Sequence, residues 1–417
     1  MASLLTAKGA RNARAGFTLV ELMVALTGGL FVSLAVFALA RDSGRFYQRE
    51  SRVANATVSA LLGFERLRMD IARAGFMSTP NITLDPAVCA KPNPNWPAGL
   101  RSLASVRINP AVAGGALAAN GRNPPTLVLA GSYSSSDIFP ARVTLGANGQ
   151  VVFNLIPGSP ALTRLGNGVN PDNPTVQNVF QANRGLRFVQ YGKQYYGTIV
   201  ASNGGPQPTV SVSATPPIQF RSGALGGCGA ELIGSGAGEG TINVVNLIQY
   251  DVRSLSSNAN YKSLYENSVA GPGEAQRTEL VRAEQDMSGT VDPTSEEIVA
   301  EYAVDLGFQV TAVTSVSGCC DPTVALIAST TAAFGTFTGD VALPNVNPQR
   351  IRTVRVRLGV RSRESDRAAG MTADPTAGAD RGIFRFNLGT SGGAEPFARV
   401  RTFQADVALY NQMDVLW

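Results

Sequence analysis

From Phe17 to Ala40 the chain runs for 24 residues with a single charge, Glu21. A helix rises about 1.5 Å per residue, so this run can cross a hydrocarbon core of roughly 30 Å. A carboxylate at the bilayer centre costs about 2.5–3.5 kcal/mol on insertion scales and less near a helix end. Glu21, one turn inside the run, is therefore a candidate functional residue. Gly16 stands directly before the run, and Lys8, Arg11 and Arg14 precede it. Basic residues stay on the cytoplasmic side of such a segment, which sends the rest of the chain across the membrane.

The stretch Gly16-Phe17-Thr18-Leu19-Val20-Glu21, with its basic leader and its apolar continuation, resembles the type IV prepilin signature. The resemblance implies that prepilin peptidase cuts after Gly16 and that the new N-terminal Phe17 is N-methylated. It implies that Glu21 aligns subunits in a helical fibre. The subunit would wait in the inner membrane, single-pass with a periplasmic body, and then enter the pilus. The rival is an ordinary secretory signal cut after Ala38-Leu39-Ala40. Against it, the apolar run exceeds the usual 7–15 residues of a signal core, and Glu21 interrupts it. Gly28 and Gly29 sit mid-run, where each costs about 1 kcal/mol against alanine. They suit close helix packing or, as the resemblance implies, a soft spot where the helix unwinds when subunits pack into a fibre.

The helix is expected to continue past the membrane. Val53, Thr57, Leu61, Phe64, Leu67 and Ile71 recur at helical steps, and Arg52, Glu65, Arg66, Asp70 and Arg73 take the opposite face. Gly75 and Pro80 provide the stop. Residues 64–76 resemble the end of this helix in PilW-like minor pilins. That resemblance implies a subunit that primes or caps pilus assembly near the tip, with other minor pilins, the major pilin and the inner-membrane assembly platform as partners.

Domain organisation follows from these shifts. Residues 1–16 read as leader, 17–40 as a transmembrane helix and 41–76 as its amphipathic continuation. Residues 80–240 read as a Gly/Pro-rich β insertion, and 241–417 as a pilin-like β body. Strand-like runs occur at Thr126–Ala130, Val151–Ile156, Leu186–Tyr191, Gly197–Ala201 and Val210–Val212, separated by Gly, Pro and Asn turns. Thr294-x-x-Glu297 reads as a capping box and predicts a short helix over Ile298, Val299 and Tyr302. Leu306 to Ala312 and Phe403 to Leu409 alternate as strands. From Arg350 to Arg363, Val354, Val356, Leu358 and Val360 form an apolar face, while Thr353, Arg355, Arg357 and Arg361 form a basic one, expected to be solvated. Trp417 is expected to anchor packing. The fold class is α+β: a long N-terminal helix packed on antiparallel sheet.

The chemistry is sparse. The chain has no histidine, which excludes Ser-His-Asp and Cys-His nucleophiles and histidine metal ligands. Neither a metal nor a cofactor is expected. Gly234, Gly236, Gly238 and Gly240 do not make a dinucleotide fingerprint, and Glu364, Asp374 and Asp380 fit no EF-hand spacing. Without Lys8, Arg11 and Arg14, 32 basic residues stand against 30 acidic ones. That balance argues against nucleic acid as a partner. Four cysteines in an exported body favour disulfides, and Cys89, Cys228, Cys319 and Cys320 allow three connectivities. The expected function is structural. The alternatives are a J-type pseudopilin of a type II secretion system and a tip adhesin.

Overall fold

The computed structural model describes residues 18–110, 117, 120–146, 150–165, 174–220, 228–232, 239–266, 277–317, 321–363, 382–389, 397–415 and 417. Two units divide the chain, residues 1–55 and 56–417. In the first, helix α1 (Leu19–Arg73) begins. Its segment Leu19–Gly44 is long and apolar enough to cross a membrane, and none of it is buried against the chain itself.

In the second unit, α1 continues as one wall of a core. Ala60, Phe64, Leu67, Ile71 and Ala74 are buried, at steps of four, three, four and three. The stripe is thus centred one residue away from the expected one near its start. Leu61 is 45% exposed and the small Ala60 takes the inward place. Gly63 explains the shift: a Cβ there would stand 2.1 Å from the Val299 carbonyl oxygen, so the helix backbone lies directly against the neighbouring strand. Asp70, expected on the polar face, is buried as well. Val53 and Arg52 lie outside the described side chains. The helix ends as expected at Gly75, whose φ of +77° suits glycine and whose N–H donates to the Ala130 carbonyl at 2.8 Å.

Among the described residues fifteen strands follow: β1 (Val106–Asn109), β2 (Thr126–Gly131), β3 (Phe139–Leu145), β4 (Val151–Leu155), β5 (Gly185–Gln190), β6 (Lys193–Asn203), β7 (Thr209–Val212), β8 (Glu239–Arg253), β9 (Glu279–Gln285), β10 (Glu297–Ala300), β11 (Ala303–Ser317), β12 (Asp321–Ile327), β13 (Ile351–Arg361), β14 (Arg385–Asn387) and β15 (Phe397–Ala408). Their pairings are antiparallel. The α+β class is the observed one.

Strand β8 is the hinge of the topology. Its first half pairs with β3 and β5, and β3-β4-β7-β6-β5 closes a six-stranded ring through it. Alternate residues fill that ring: Phe139, Ala141, Val143, Val151, Phe153, Leu186, Phe188, Ile199, Val210, Val212, Ile242 and Val244. Closure leaves those strands no free edge. Gly240 is required there, because a Cβ would reach 2.3 Å from the Phe188 ring. The second half of β8 lies between β2 and β9 in a sheet ordered β1-β2-β8-β9-β10. The composition shift near residue 240 therefore falls inside a strand shared by barrel and sheet, not at a break between them.

A second sheet has the order β12-β11-β13-β15-β14. One core joins α1 to both sheets: Phe64, Leu67 and Ile71 with Leu127, Leu129, Ile248 and Leu280 of the first, and with Phe308, Val354, Val356, Leu358 and Val407 of the second. Phe64 and Phe403 rings lie 5.9 Å apart.

Three expectations need correction. Residues 297–300 form strand β10, not a helix. Asp292 Oδ1 accepts from the Thr294 N–H at 2.9 Å and from its hydroxyl at 2.7 Å, so Asp292 closes a turn that takes up the threonine. Ile298, β-branched, then pairs with Val281, and Val299 falls at the register shift before Ala300. The basic face of β13 is mostly not solvated. Arg357 donates to buried Asp305 at 2.8 Å, over Gly307, where a Cβ would meet its guanidinium at 2.7 Å. Arg361 is buried against the Tyr302 and Phe386 rings. Only Arg355, paired with Asp406 at 2.6 Å, remains at the surface. Trp417 is 37% exposed, and its backbone carbonyl, not its ring, is what Gln349 holds at 2.9 Å.

Candidate functional site

The described chain opens on Thr18, and the first turn of α1 is built by it and Glu21. The Thr18 N–H and hydroxyl both donate to Glu21 Oε2 at 3.1 Å. The Glu21 N–H donates back to Thr18 Oγ1 at 3.2 Å. This reciprocal arrangement is a capping box: it satisfies amide groups that a helix start leaves open. It also gives the one carboxylate of the apolar run a partner within its own chain. Glu21 is solvent-exposed, as are Leu19, Val20, Leu22 and Met23 around it. Gly16 and Phe17 lie outside the described residues.

Sequence reading singled out Glu21 but passed over Thr18. The signal was present, since Thr18-x-x-Glu21 has the same spacing as Thr294-x-x-Glu297. Only the first sits at a helix start. Gly28 and Gly29 lie in unbroken helix, and an added Cβ at either would meet nothing within 4 Å. Space within the chain does not demand glycine there.

In the body, Asp70 holds the other end of α1. Its Oδ2 accepts from Tyr250 Oη and from Arg282 Nε, each at 2.8 Å, and Arg66 Nε stands 4.0 Å from Oδ1. The Tyr133 hydroxyl donates to the Asp70 carbonyl at 2.8 Å. Burial, reinforced by the Asp70 charge, pushes the Tyr133 and Tyr250 phenols well above their usual range. Burial works against the Arg282 charge, but the hydrogen bond and charge of Asp70 outweigh it and raise that pKa. The group is a clamp between helix and sheet, and a sequence in which Asp70 is one acid among many on a helix gives no sign of it.

The disulfide joins Cys89 and Cys228, 139 residues apart. It ties the segment after α1 to the segment leading into β8. Both lie against β6: the Cys89 N–H donates to the Gln194 carbonyl, and the Gly229 N–H to Tyr195 Oη. Cys319 and Cys320 lie outside the described residues.

A cleft of about 390 Å³ is lined by Asn120, Arg122, Asn123, Asp305, Phe308 and Ser329 among others. Arg122 Nη1 stands 3.9 Å from Asp305 Oδ1, so Arg122 and Arg357 flank one buried carboxylate. Among the described residues no group of three or more Cys, Asp or Glu side chains is placed to hold a metal ion.

Neither the curated proteins nor the solved structures include a match to this chain. Residues 11–27 match the family model described as the prokaryotic N-terminal methylation motif. That match covers Arg11 and Arg14 of the leader, Gly16, Phe17, the Thr18–Glu21 box and the start of the apolar helix, and it supports a type IV pilin-like or pseudopilin substrate of prepilin peptidase.

Proposed function

We propose that this chain is a minor subunit of a type IV pilus, cut after Gly16, methylated on Phe17 and structural rather than catalytic. The observation that carries the reading is the methylation motif at residues 11–27 leading into an apolar helix, Leu19–Gly44, that its own chain leaves uncovered. Such a helix is stable in lipid or among identical helices. Exchanging one for the other gains little hydrophobic energy, so register must come from packing and polar pairs. Glu21 is the charged group of the apolar run. An N-terminal amine of a neighbouring subunit compensates its charge in the right register, whereas a wrong one leaves it with only the neutral Thr18 donors of its own chain.

The assignment as a minor, assembly-priming subunit rests on bulk. Beyond Asn55 the body comprises a closed barrel and a sheet that share strand β8, and the second sheet β12-β11-β13-β15-β14. Copies of such a body along a whole fibre would crowd one another, whereas a tip position accommodates it beside other minor pilins and the major pilin. A J-type pseudopilin has the same kind of N-terminus, and the motif supports it equally.

N-terminal mass spectrometry of the protein from sheared pili tests the proposal. The expected chain starts at N-methylated Phe17 and is a minor component. A chain starting after Ala40 overturns the retained helix, and dominance along the fibre overturns the minor role. Loss of exoprotein secretion with intact pili on deletion points to the pseudopilin instead. Gly16→Leu is expected to leave a precursor heavier by the leader.

A further inference from the structure

Strand β11 is paired on both edges along only part of its length. β13 pairs with it from Ala303 to Ala312, whereas β12 covers the other edge from Val310 onward. β12 stops there because the chain turns off the sheet. The Thr331 N–H and hydroxyl both donate to the Ala328 carbonyl, at 3.1 and 2.8 Å. Continued in register, Ser329 would lie opposite Phe308 and Thr331 opposite Leu306. That stretch of edge is instead a wall of the cleft of about 390 Å³, with Asn120, Asn123 and Ser329 around it.

The ladder tells which backbone groups face the cleft. The Arg361 N–H donates to the Tyr302 carbonyl at 3.0 Å, so Arg361 points at β11. Gly359 and Arg357 point there too, and their partners Asp305 and Gly307 answer them. Leu306 and Phe308 therefore turn their N–H and C=O groups to the other edge, into the cleft. The far side agrees. Thr314 Oγ1 donates to the Thr323 carbonyl at 3.2 Å, so Thr323 faces β11, as does Ile327 four residues on. Its partner Val310 thus faces β12, on the same edge as Leu306 and Phe308. The two faces of the strand are closed: the Leu306 and Phe308 side chains lie in the core, and the Arg357 guanidinium covers Gly307. Among the described residues no strand pairs with the edge over Leu306–Phe308.

We propose that this cleft binds an extended peptide segment of another protein, one that carries a carboxylate and adds to β11 as a short continuation of β12. Backbone N–H and C=O groups on alternate residues of a strand edge are what an added strand recognises. Buried backbone groups also require partners, which such a segment supplies. The volume sits within the range of about 300–1,000 Å³ common to ligand clefts. Charge narrows the occupant. Arg122 and Arg357 flank the single carboxylate of Asp305, so this wall is net positive and favours a segment with a carboxylate over one with an ammonium group. The proposal goes beyond the prepilin reading and uses residues of the body alone.

The test mixes the full chain, in a neutral detergent, with a pool of acetylated tetrapeptides of uncharged side chains ending in a free carboxylate. Peptides retained on gel filtration are identified by mass spectrometry and resynthesised. They are expected to slow hydrogen exchange at the Leu306 and Phe308 amides. N-methylation of their alternate amides should weaken binding by about tenfold or more, since backbone donors are lost. C-terminal amides should bind more weakly than the free carboxylates, by a margin that shrinks as salt rises. Asn123→Trp, a bulky side chain at the exposed rim of the cleft, should lose binding with its urea midpoint unchanged. Asn95→Trp, exposed and outside the cleft lining, should keep it. The proposal is overturned if no peptide is retained, if binding survives N-methylation or Asn123→Trp, or if carboxylate and amide forms bind equally. Protection elsewhere than at Leu306 and Phe308 overturns it too, and that readout needs no variant. The N-terminal mass of the same samples reports processing separately, so failure of the prepilin reading is distinguishable from failure of peptide binding.

Discussion

From Leu19 to Leu39 the large apolar side chains of α1 are 56–73% exposed, whereas Phe64, Leu67 and Ile71 are at most 4% exposed. Both stretches belong to one helix, and both are rich in leucine, valine and alanine. What separates them is where their burial comes from. The second stretch is apolar on one stripe, and two sheets of the same chain cover that stripe. The first is apolar all round, so no single sheet could cover it, and lipid or other helices must. Between the two modes, Val58, Leu62 and Met69 remain 59–70% exposed on the outer side of the body's own helix segment. Helix formation and helix burial are thus separate problems in this chain, solved by different partners.

The sharpest way to break that contrast is a matched pair of truncations. Leu67→Ala should destabilise the body by about 2–5 kcal/mol, because it empties a fully buried site. Leu26→Ala, 66% exposed, should leave the unfolding midpoint of the body unchanged. Urea titration in detergent, followed by tryptophan fluorescence, measures both, and equal shifts would abolish the distinction.

The disulfide tests the same contrast through the unfolded state. Replacing Cys89 and Cys228 together by serine should cost the body about 2–4 kcal/mol, since the bridge closes a loop of 139 residues. Helix content of the first unit should not change, and a loss there would mean that its helix depends on the body. Asp70→Asn should cost about 2–3 kcal/mol, less than a fully buried pair, because the Asp70 and Arg282 side chains keep 10% and 15% exposure. Asp42→Asn, exposed on the other stretch, should cost nothing in the same urea titration.

The smallest effect at neutral pH is the alkaline one. Burial raises the phenol pKa of Tyr133, Tyr196 and Tyr250, and lifts Tyr265 to about 12. Below pH 10 these tyrosines are protonated in both folded and unfolded chains, so they contribute no pH dependence. Above pH 10 the unfolded chain loses protons that the folded chain keeps, and stability falls as pH rises. The slope per tyrosine approaches about 1.4 kcal/mol per pH unit. For Tyr265 it flattens near pH 12. Urea midpoints measured from pH 8 to 11.5 check this, and Tyr265→Phe should make the decline shallower.

How far the sequence could be read depended on how local each signal was. The end of α1 was legible because Gly75 has a conformation that glycine alone adopts readily. Strands β4, β5, β7 and β13 were legible because period-two alternation is a property of neighbouring residues. Strand β12 and the inward place of Ala60 were not. Each depends on a surface supplied by a residue far away in the chain: Val310 pairs with Ile327, and Val299 crowds Gly63. The two threonine–glutamate pairs show the same limit. Thr18 caps a helix because an apolar run of helical length follows it. Thr294 does not, because Asp292 competes for it and β9 offers a strand to pair with.

By itself, the sequence determined the uncovered apolar helix, the placement of Glu21 one turn inside it, the methylation motif and the α+β class. These are set by composition and short spacing, which act whatever the rest of the chain does. Only the tertiary structure decided that Cys89 meets Cys228, that Asp70 is a buried clamp, that Arg357 and Arg361 are buried rather than solvated, and that β8 serves barrel and sheet at once. Each of these requires two segments far apart in the chain to meet. Their free energy depends on excluded water and on paired charge at the meeting point, neither of which is a property of a residue's neighbours in sequence.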